Sequence, residues 1–260
     1  MERSRSFERV ATEYERVRPG YPEALYDRLF AFGNLTAGSK VLEVGVGTGK
    51  ATLPLAARGL SVVGVEPGVN LAAQARSRLA DFPNVTLITS TFEDWAVEPR
   101  TFDLAFAAQA YHWLDPAERL SKFAAALKNG GVLAVFGHVP SVAPGPLRVA
   151  FDEIYARLAP ELEKRTEALS WYFSSESPVM AELSASPDFT EIGFTAFDWQ
   201  RSLDTRDYET LLGTYSDHAA LPADRRSALF TALTAAIDQH GGSITLSYRT
   251  GLFVARRVSR

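Results

Sequence analysis

Short apolar runs alternate with longer stretches in which apolar residues recur every three or four positions, and this alternation organises the first half of the chain. Over 22–32, Leu25, Leu29, Phe30 and Phe32 fall at helical spacing, and a turn follows over 34–39. Then come a compact apolar run at 40–44, a helical stretch at 50–58, a second run at 61–65 and a helical stretch at 69–80. A third run at 85–88, a fourth at 102–107, a helix at 116–127, the turn Asn129-Gly130-Gly131 and a fifth run at 132–137 complete the series. Runs of four to six mostly apolar residues suit strands buried on both faces. Amphipathic helices between them supply the right-handed crossovers of a parallel sheet.

The rhythm changes after Gly137. A proline-containing loop is expected over 138–146, then a helical, aromatic stretch over 147–186 that reads as a cap inserted after the fifth strand. Strand character returns at 190–203 and 243–255, with helices at 208–215 and 223–239. Two late strands fit an antiparallel pair at one sheet edge. The pattern thus predicts a binding core over 1–138, a helical cap over 139–188, and elements over 189–260 that complete the same sheet.

Composition narrows the partners. Of 260 residues 46% are hydrophobic, enough for a sizeable core, and the net charge of -4 disfavours a nucleic-acid backbone as partner. With no cysteine there is no disulfide, thiolate metal site or cysteine nucleophile. The four histidines, His112, His138, His218 and His240, are scattered, so no metal is expected. No apolar run approaches the roughly 18 residues needed to cross a bilayer, and the opening MERSRSFERV has no apolar segment behind it. The expectation is a soluble, cytoplasmic monomer or homodimer without nucleic-acid or membrane partners.

The chemistry starts at VLEVGVGTGKATLPLAARGLSVVGVEP, residues 41–67. Glycines at the first strand-to-helix turn let the backbone bend sharply and approach a ligand. A P-loop would need a glycine where Val44 stands and a Ser or Thr where Ala51 stands. A dinucleotide fingerprint would need its third glycine at Lys50 or Thr52. What remains is Glu43-x-Gly45-x-Gly47-x-Gly49, suited to a ligand with a ribose and a charged amino-acid tail. Glu66, ending the second strand, can accept hydrogen bonds from both ribose hydroxyls. After the third strand comes Thr91-Phe92-Glu93-Asp94-Trp95, where an acidic side chain can accept from an adenine amine and Phe92 can pack on the ring.

Taken with FDLAFAAQAYHWLDP and LKNGGVLAVFG, these segments resemble, in order, those of class I S-adenosylmethionine-dependent methyltransferases of the "methyltransferase type 11" kind. The opening FERVATEYERVRPGYPEAL and the closing YRTGLFVARR resemble the branch that includes trans-aconitate methyltransferase-like proteins. The resemblance implies a Rossmann-like seven-stranded sheet with its last strand antiparallel. S-adenosylmethionine would be the cofactor and S-adenosylhomocysteine the product. It also implies roles. Glu43, Gly45 and Gly49 would line the methionine end, with Gly47 at the backbone turn. Glu66, followed by Pro67, would hold the ribose. Glu93 or Asp94 would face the adenine, beside Phe92 or Trp95, and Gln109 would lie near the sulfonium. The opening segment, with Tyr14, Arg18 and Tyr21, would fold over the cofactor; Arg18 is a candidate partner for its carboxylate, with an exposed helix-end charge as the other reading.

Methyl transfer from a sulfonium is an in-line displacement, governed by alignment and exclusion of water. A weak nucleophile also needs a base. His112, just past the fourth strand, is the candidate, with a structural role in orienting its loop as the other reading. Tyr21, Tyr111, Trp113, Trp171, Tyr172 and Tyr215 are candidates for the acceptor site, and ordinary packing is the alternative for each. The expected activity is methylation of a small molecule at O, N or carboxylate. The competing functions are a non-catalytic binder of the same cofactor and, against the missing third glycine, a nicotinamide dehydrogenase.

Overall fold

The computed structural model describes residues 17–162 and 170–259, and Tyr14 lies outside the described residues. Its strands are β1 (Lys40–Val44), β2 (Ser61–Glu66), β3 (Val85–Thr89), β4 (Phe102–Ala108), β5 (Leu127–Val142), β6 (Phe189–Asp204) and β7 (Ser243–Arg257). They form one seven-stranded sheet in the order β3-β2-β1-β4-β5-β7-β6. β1 pairs in parallel with β2 and β4, β2 with β3, and β4 with β5. The last strand is antiparallel, as the sequence predicts.

The helices run α1 (Glu23–Gly33), α2 (Thr52–Ala57), α3 (Val69–Arg78), α4 (Arg119–Ala126), α5 (Pro146–Leu158), α6 (Pro178–Ala185), α7 (Thr205–Gly213), α8 (Ser216–Ala219) and α9 (Ala223–Gln239). Expected and observed bounds agree closely, α9 to the residue. β5 is the main departure. The expected Asn129-Gly130-Gly131 turn lies inside it, because Phe102 pairs with Leu127 but Leu104 with Val132. The intervening residues bulge out, with Gly130 at φ +78. At its other end β5 takes up 138–142, part of the proline-containing stretch expected to be loop.

The described chain divides into two compact units. One comprises Gly20–His138, Tyr172–Phe197 and Thr250–Arg260. The other comprises the described residues of 1–19, 139–171 and 198–249. The stretch 139–188 is therefore shared between units, its last part grouping with β1–β4. The first unit closes on a core that includes Leu25, Leu29, Val41, Phe106, Phe136 and Leu252. The second has its own core, in which Phe151, Tyr208, Leu229, Leu233, Ile237 and Tyr248 pack together. Leu25 and Leu29 of α1, and Leu229 and Leu233 of α9, are each four residues apart, so helical periodicity brings them to one buried stripe.

Chain order reverses at β1 and β4: from β1 the sheet grows one way through β2 and β3, and the other way through β4 and β5. A crevice at the carboxyl ends of such strands is where this architecture binds ligands. Gly45, Glu66 and Gln109 follow or end β1, β2 and β4 there.

Candidate functional site

The loop after β1 has the conformation its glycines foretell. Gly45, Gly47 and Gly49 all have positive φ, at +78, +59 and +83, a region costly for residues with a Cβ. They serve different ends. A Cβ on Gly45 would stand 2.4 Å from Cβ of Ala110, so this glycine lets the β1 loop touch the β4 loop. A Cβ on Gly49 would stand 3.0 Å from Leu79. A Cβ on Gly47 would meet nothing within 4 Å, so only conformation constrains that position. Gly64, inside β2, belongs to the same construction. A Cβ there would lie 2.5 Å from Val46, which packs over the strand.

Glu66 ties the loop to β2. Its Oε2 accepts from the Gly47 N–H and its Oε1 from the Gly68 N–H, both at 2.8 Å. The residue is 6% exposed. Two backbone donors fix the carboxylate plane, and a carboxylate oxygen can accept more than one hydrogen bond. Pro67 is exposed, at the bend that returns Gly68 to this contact. Glu43 is fully buried, and its Oε2 accepts from the Thr52 hydroxyl at 2.5 Å. Burial pushes its carboxyl up to about 8, opposed by the Thr52 hydrogen bond and reinforced by the charge of Glu66. The Thr48 hydroxyl, 2% exposed within the glycine loop, has no hydrogen-bond partner among the described residues.

The β3 loop differs from expectation. Phe92 is 2% exposed, its ring packed against Phe123 at 4.8 Å and Trp95 at 6.5 Å. It is a core residue, not an open aromatic face, because Thr91 and Asp94 curl the loop. The Thr91 hydroxyl donates to Asp94 Oδ2 at 2.7 Å and accepts from the Asp94 N–H at 3.1 Å. Glu93 is exposed, and its Oε1 accepts from the Asp115 N–H at 3.1 Å. Trp95 remains half-buried beside Phe102.

Past β4, Gln109 takes φ +56, an uncommon region for a residue with a Cβ. Two bonds hold it there. Its N–H donates to the Phe136 carbonyl and its Nε2 to the His138 carbonyl, both at 2.8 Å. The amide oxygen is thereby oriented as well. A three-residue 3₁₀ turn, Tyr111–Trp113, follows. Tyr111 is buried and donates its hydroxyl to Glu182 at 2.9 Å. Trp113 is 43% exposed, and His112 lies between it and Tyr172, with ring centroids at 4.8 and 5.7 Å.

Tyr172 reaches His112 from 60 residues downstream because its neighbour Phe173 is anchored. A Cβ on Gly137 of β5 would lie 2.3 Å from the Phe173 ring. A Cβ on Gly251 of β7 would lie 2.5 Å from the Phe173 carbonyl oxygen. The two glycines form a notch in adjacent strands that seats Phe173. Burial of Tyr172 raises its phenol to about 12, and its buried hydroxyl has no hydrogen-bond partner among the described residues. Tyr21 packs edge-on against Phe136 at 4.8 Å and lies 5.2 Å from His138.

The remaining candidates belong to the other unit. Arg18 donates from Nε to the Thr214 hydroxyl at 2.9 Å and from Nη2 to the Thr214 carbonyl at 3.2 Å, its guanidinium 4.3 Å over the Tyr215 ring. Those contacts engage the donors that the sequence reading gave to a cofactor carboxylate. Trp171 is 51% exposed. His218 Nε2 lies 3.0 Å from the Tyr155 hydroxyl, and its Nδ1 lies 3.0 Å from Oδ1 of Asp217, which accepts.

Sequence reasoning missed Arg119, Glu182, Thr48 and Thr52. Thr52 sits three residues past Gly49, a local signal that was present. Glu182 lies 71 residues from Tyr111, and no local pattern marks that pairing. Among the described residues, no cluster of three or more His, Cys, Asp or Glu is placed to hold a metal, and no helix is long and apolar enough to cross a membrane.

Comparison with known proteins agrees with this geometry. The family model described as "Methyltransferase domain" matches residues 41–131, from β1 into β5. An uncharacterized methyltransferase of Mycobacterium bovis is 36% identical over 132 residues, 51% of this chain and 51% of the relative. An uncharacterized methyltransferase of Geobacillus kaustophilus is 33% identical over 171 residues, 61% of this chain and 78% of the relative. The chain thus spans about half the length of the mycobacterial relatives it matches and more of the other. The solved structure of a putative type II methyltransferase from Anaeromyxobacter dehalogenans superposes with a TM-score of 0.66 at 25% identity. It covers 94% of this chain and 99% of that one.

Proposed function

The chain belongs to the methyltransferase family, class I and S-adenosylmethionine-dependent, and we propose that it transfers the donor's methyl group to a small-molecule acceptor. Bound S-adenosylmethionine supplies an electrophilic methyl on a sulfonium. The residues after β1 and β2 fit that donor. Glu66, oriented by two backbone N–H groups, would accept from the two ribose hydroxyls. The loop backbone at Gly47, with open space where a Cβ would stand, allows close approach of the amino-acid end. The buried Thr48 hydroxyl supplies a polar atom that such a ligand would satisfy.

Acceptor recognition is assigned to the turn after β4 and to the 172–173 segment. His112 would accept the proton of a hydroxyl or amine acceptor. A carboxylate acceptor would need no base. Trp113 and Tyr172 would flank the acceptor and exclude water, and Gln109 would face the methyl-bearing end. The reaction then relies on alignment, which contributes roughly 7–11 kcal/mol in well-oriented systems.

The Glu66 bridge between Gly47 and Gly68, at the point where strand order reverses, is the observation that carries this reading. The direct test is incubation with methyl-tritiated S-adenosylmethionine and a panel of phenols, amines and carboxylic acids. Transfer of label to at least one class, abolished in Glu66→Ala, is expected. Tight donor binding with no transfer to any class would instead indicate a non-catalytic binder.

A further inference from the structure

We infer that Glu182 is a positioning residue that locks the turn bearing His112 and Trp113 to the segment bearing Tyr172. The inference rests on the reading of His112 and Tyr172 as the acceptor site. The lock starts with the fork of Arg119 on Glu182, Nε to Oε1 at 3.1 Å and Nη2 to Oε2 at 2.6 Å. The third guanidinium nitrogen, Nη1, donates to the Tyr111 carbonyl at 3.1 Å. The Tyr111 hydroxyl donates to the same Oε1 at 2.9 Å, and the guanidinium stacks 4.2 Å over the Tyr111 ring. Glu182 therefore holds Tyr111 at its hydroxyl directly and at its backbone through Arg119. His112 is the next residue in the chain.

The other end of the lock is equally fixed. Phe173 sits in the Gly137–Gly251 notch, and Ser177, 2% exposed, caps α6 by accepting from the Val179 N–H at 3.1 Å. Glu182 projects from that helix. The chain from the notch through Ser177 to Glu182 is thus built on buried contacts, and it closes on the turn that carries His112. The 3₁₀ turn has no side-chain cap hydrogen bond, and these contacts from outside it bear on its orientation. The side chains of Arg119 and Glu182 are 13% and 22% exposed. The Arg148–Asp152 pair, at 48% and 50%, is an ordinary solvated pair by comparison. A planar fork in a part-buried setting specifies geometry, which an exposed pair does not.

The test uses the whole chain labelled with ¹³C-histidine, with the four ring signals assigned by single His→Asn variants. Glu182→Gln keeps the side-chain shape and removes the charge. It is expected to move the His112 ring signal by more than its linewidth, as the flanking Trp113 and Tyr172 rings shift, while the other three histidine signals stay in place. Arg119→Lys, which keeps the charge but loses the fork, should do the same. Tyr111→Phe, which removes only the hydroxyl, should move it less and serves if either charged variant fails to fold. An unmoved His112 signal in these folded variants would overturn the inference. Calorimetric titration of each with S-adenosylmethionine reads the underlying proposal separately. Unchanged donor affinity beside a moved His112 signal is the predicted pair of results, and failure of the unsubstituted chain to bind the donor would count against the methyl-transfer reading alone.

Discussion

Single residues in the β1 loop divide by purpose, and substitutions should separate them. Gly45→Ala meets both a positive φ and a Cβ 2.4 Å away, which together cost roughly 2–5 kcal/mol and would lower Tm by roughly 5–15 °C. Gly47→Ala meets only the conformational cost, about 1–2 kcal/mol, yet places a methyl where the donor would approach. Differential scanning calorimetry paired with donor titration should show the larger Tm loss in the first. The second should show at least about a tenfold loss of affinity, or about 1.4 kcal/mol. Unchanged donor affinity in Gly47→Ala would remove that glycine from the site. Glu43 gives a pH signature. Its folded pKa, about 8, lies above the ordinary 4.5, so the folded chain holds this proton more tightly than the unfolded one. The resulting stabilisation is complete below about pH 4.5 and is lost as pH rises through about 8. Relative to Glu43→Gln, which is neutral throughout, the native chain should lose Tm across that window. Parallel Tm curves for the two proteins would contradict the buried, raised carboxyl. The glycines and both acidic residues were legible because loop backbone and strand-end carboxylates leave a local pattern. Thr48, whose buried hydroxyl depends on how the loop folds, left none.

At the scale of elements, strand and helix bounds followed from hydrophobic period, and the exceptions have physical causes. The Asn129-Gly130-Gly131 segment has the composition of a turn, but strand pairing on both sides of it absorbs it as a bulge. Phe92 looked like an aromatic face because its neighbours are polar, whereas the Thr91–Asp94 bonds turn its ring inward onto Phe123. The Phe173 notch was invisible, since Gly137 and Gly251 are 114 residues apart and meet only when β5 and β7 pair. Gly251→Ala would press a methyl 2.5 Å from a backbone oxygen, which cannot rotate away, while Gly137→Ala would press on the Phe173 ring. Phe173→Ala would cost about 3–5 kcal/mol, as for other buried aromatics. All three should lower the urea midpoint of unfolding, which titration followed by near-ultraviolet circular dichroism would show. Stability equal to the unsubstituted chain in Gly251→Ala would show that Phe173 is not seated there.

For the whole molecule, strand order does what no single motif does. It brings the ends of β1, β2 and β4 to the reversal point, so Gly45, Glu66 and Gln109 fall beside one another despite their separation in sequence. A mostly parallel seven-stranded sheet with its last strand antiparallel was readable from alternating elements and the family resemblance, whereas the order of its strands comes from the structure. The division into two units, which splits the 139–188 stretch, was not readable, because it depends on which core each helix joins. Donor binding at the Glu66 bridge is the claim on which the rest depends. The measurement is calorimetric titration with S-adenosylmethionine, S-adenosylhomocysteine and NADH, on the native chain and on Glu66→Ala. Both sulfur ligands should bind and NADH should not. The variant, losing charge-assisted hydrogen bonds worth about 1.5–3 kcal/mol each, should bind them about a hundredfold or more weakly. Binding of NADH in place of the sulfur ligands, or undiminished affinity in a folded Glu66→Ala, would contradict the account.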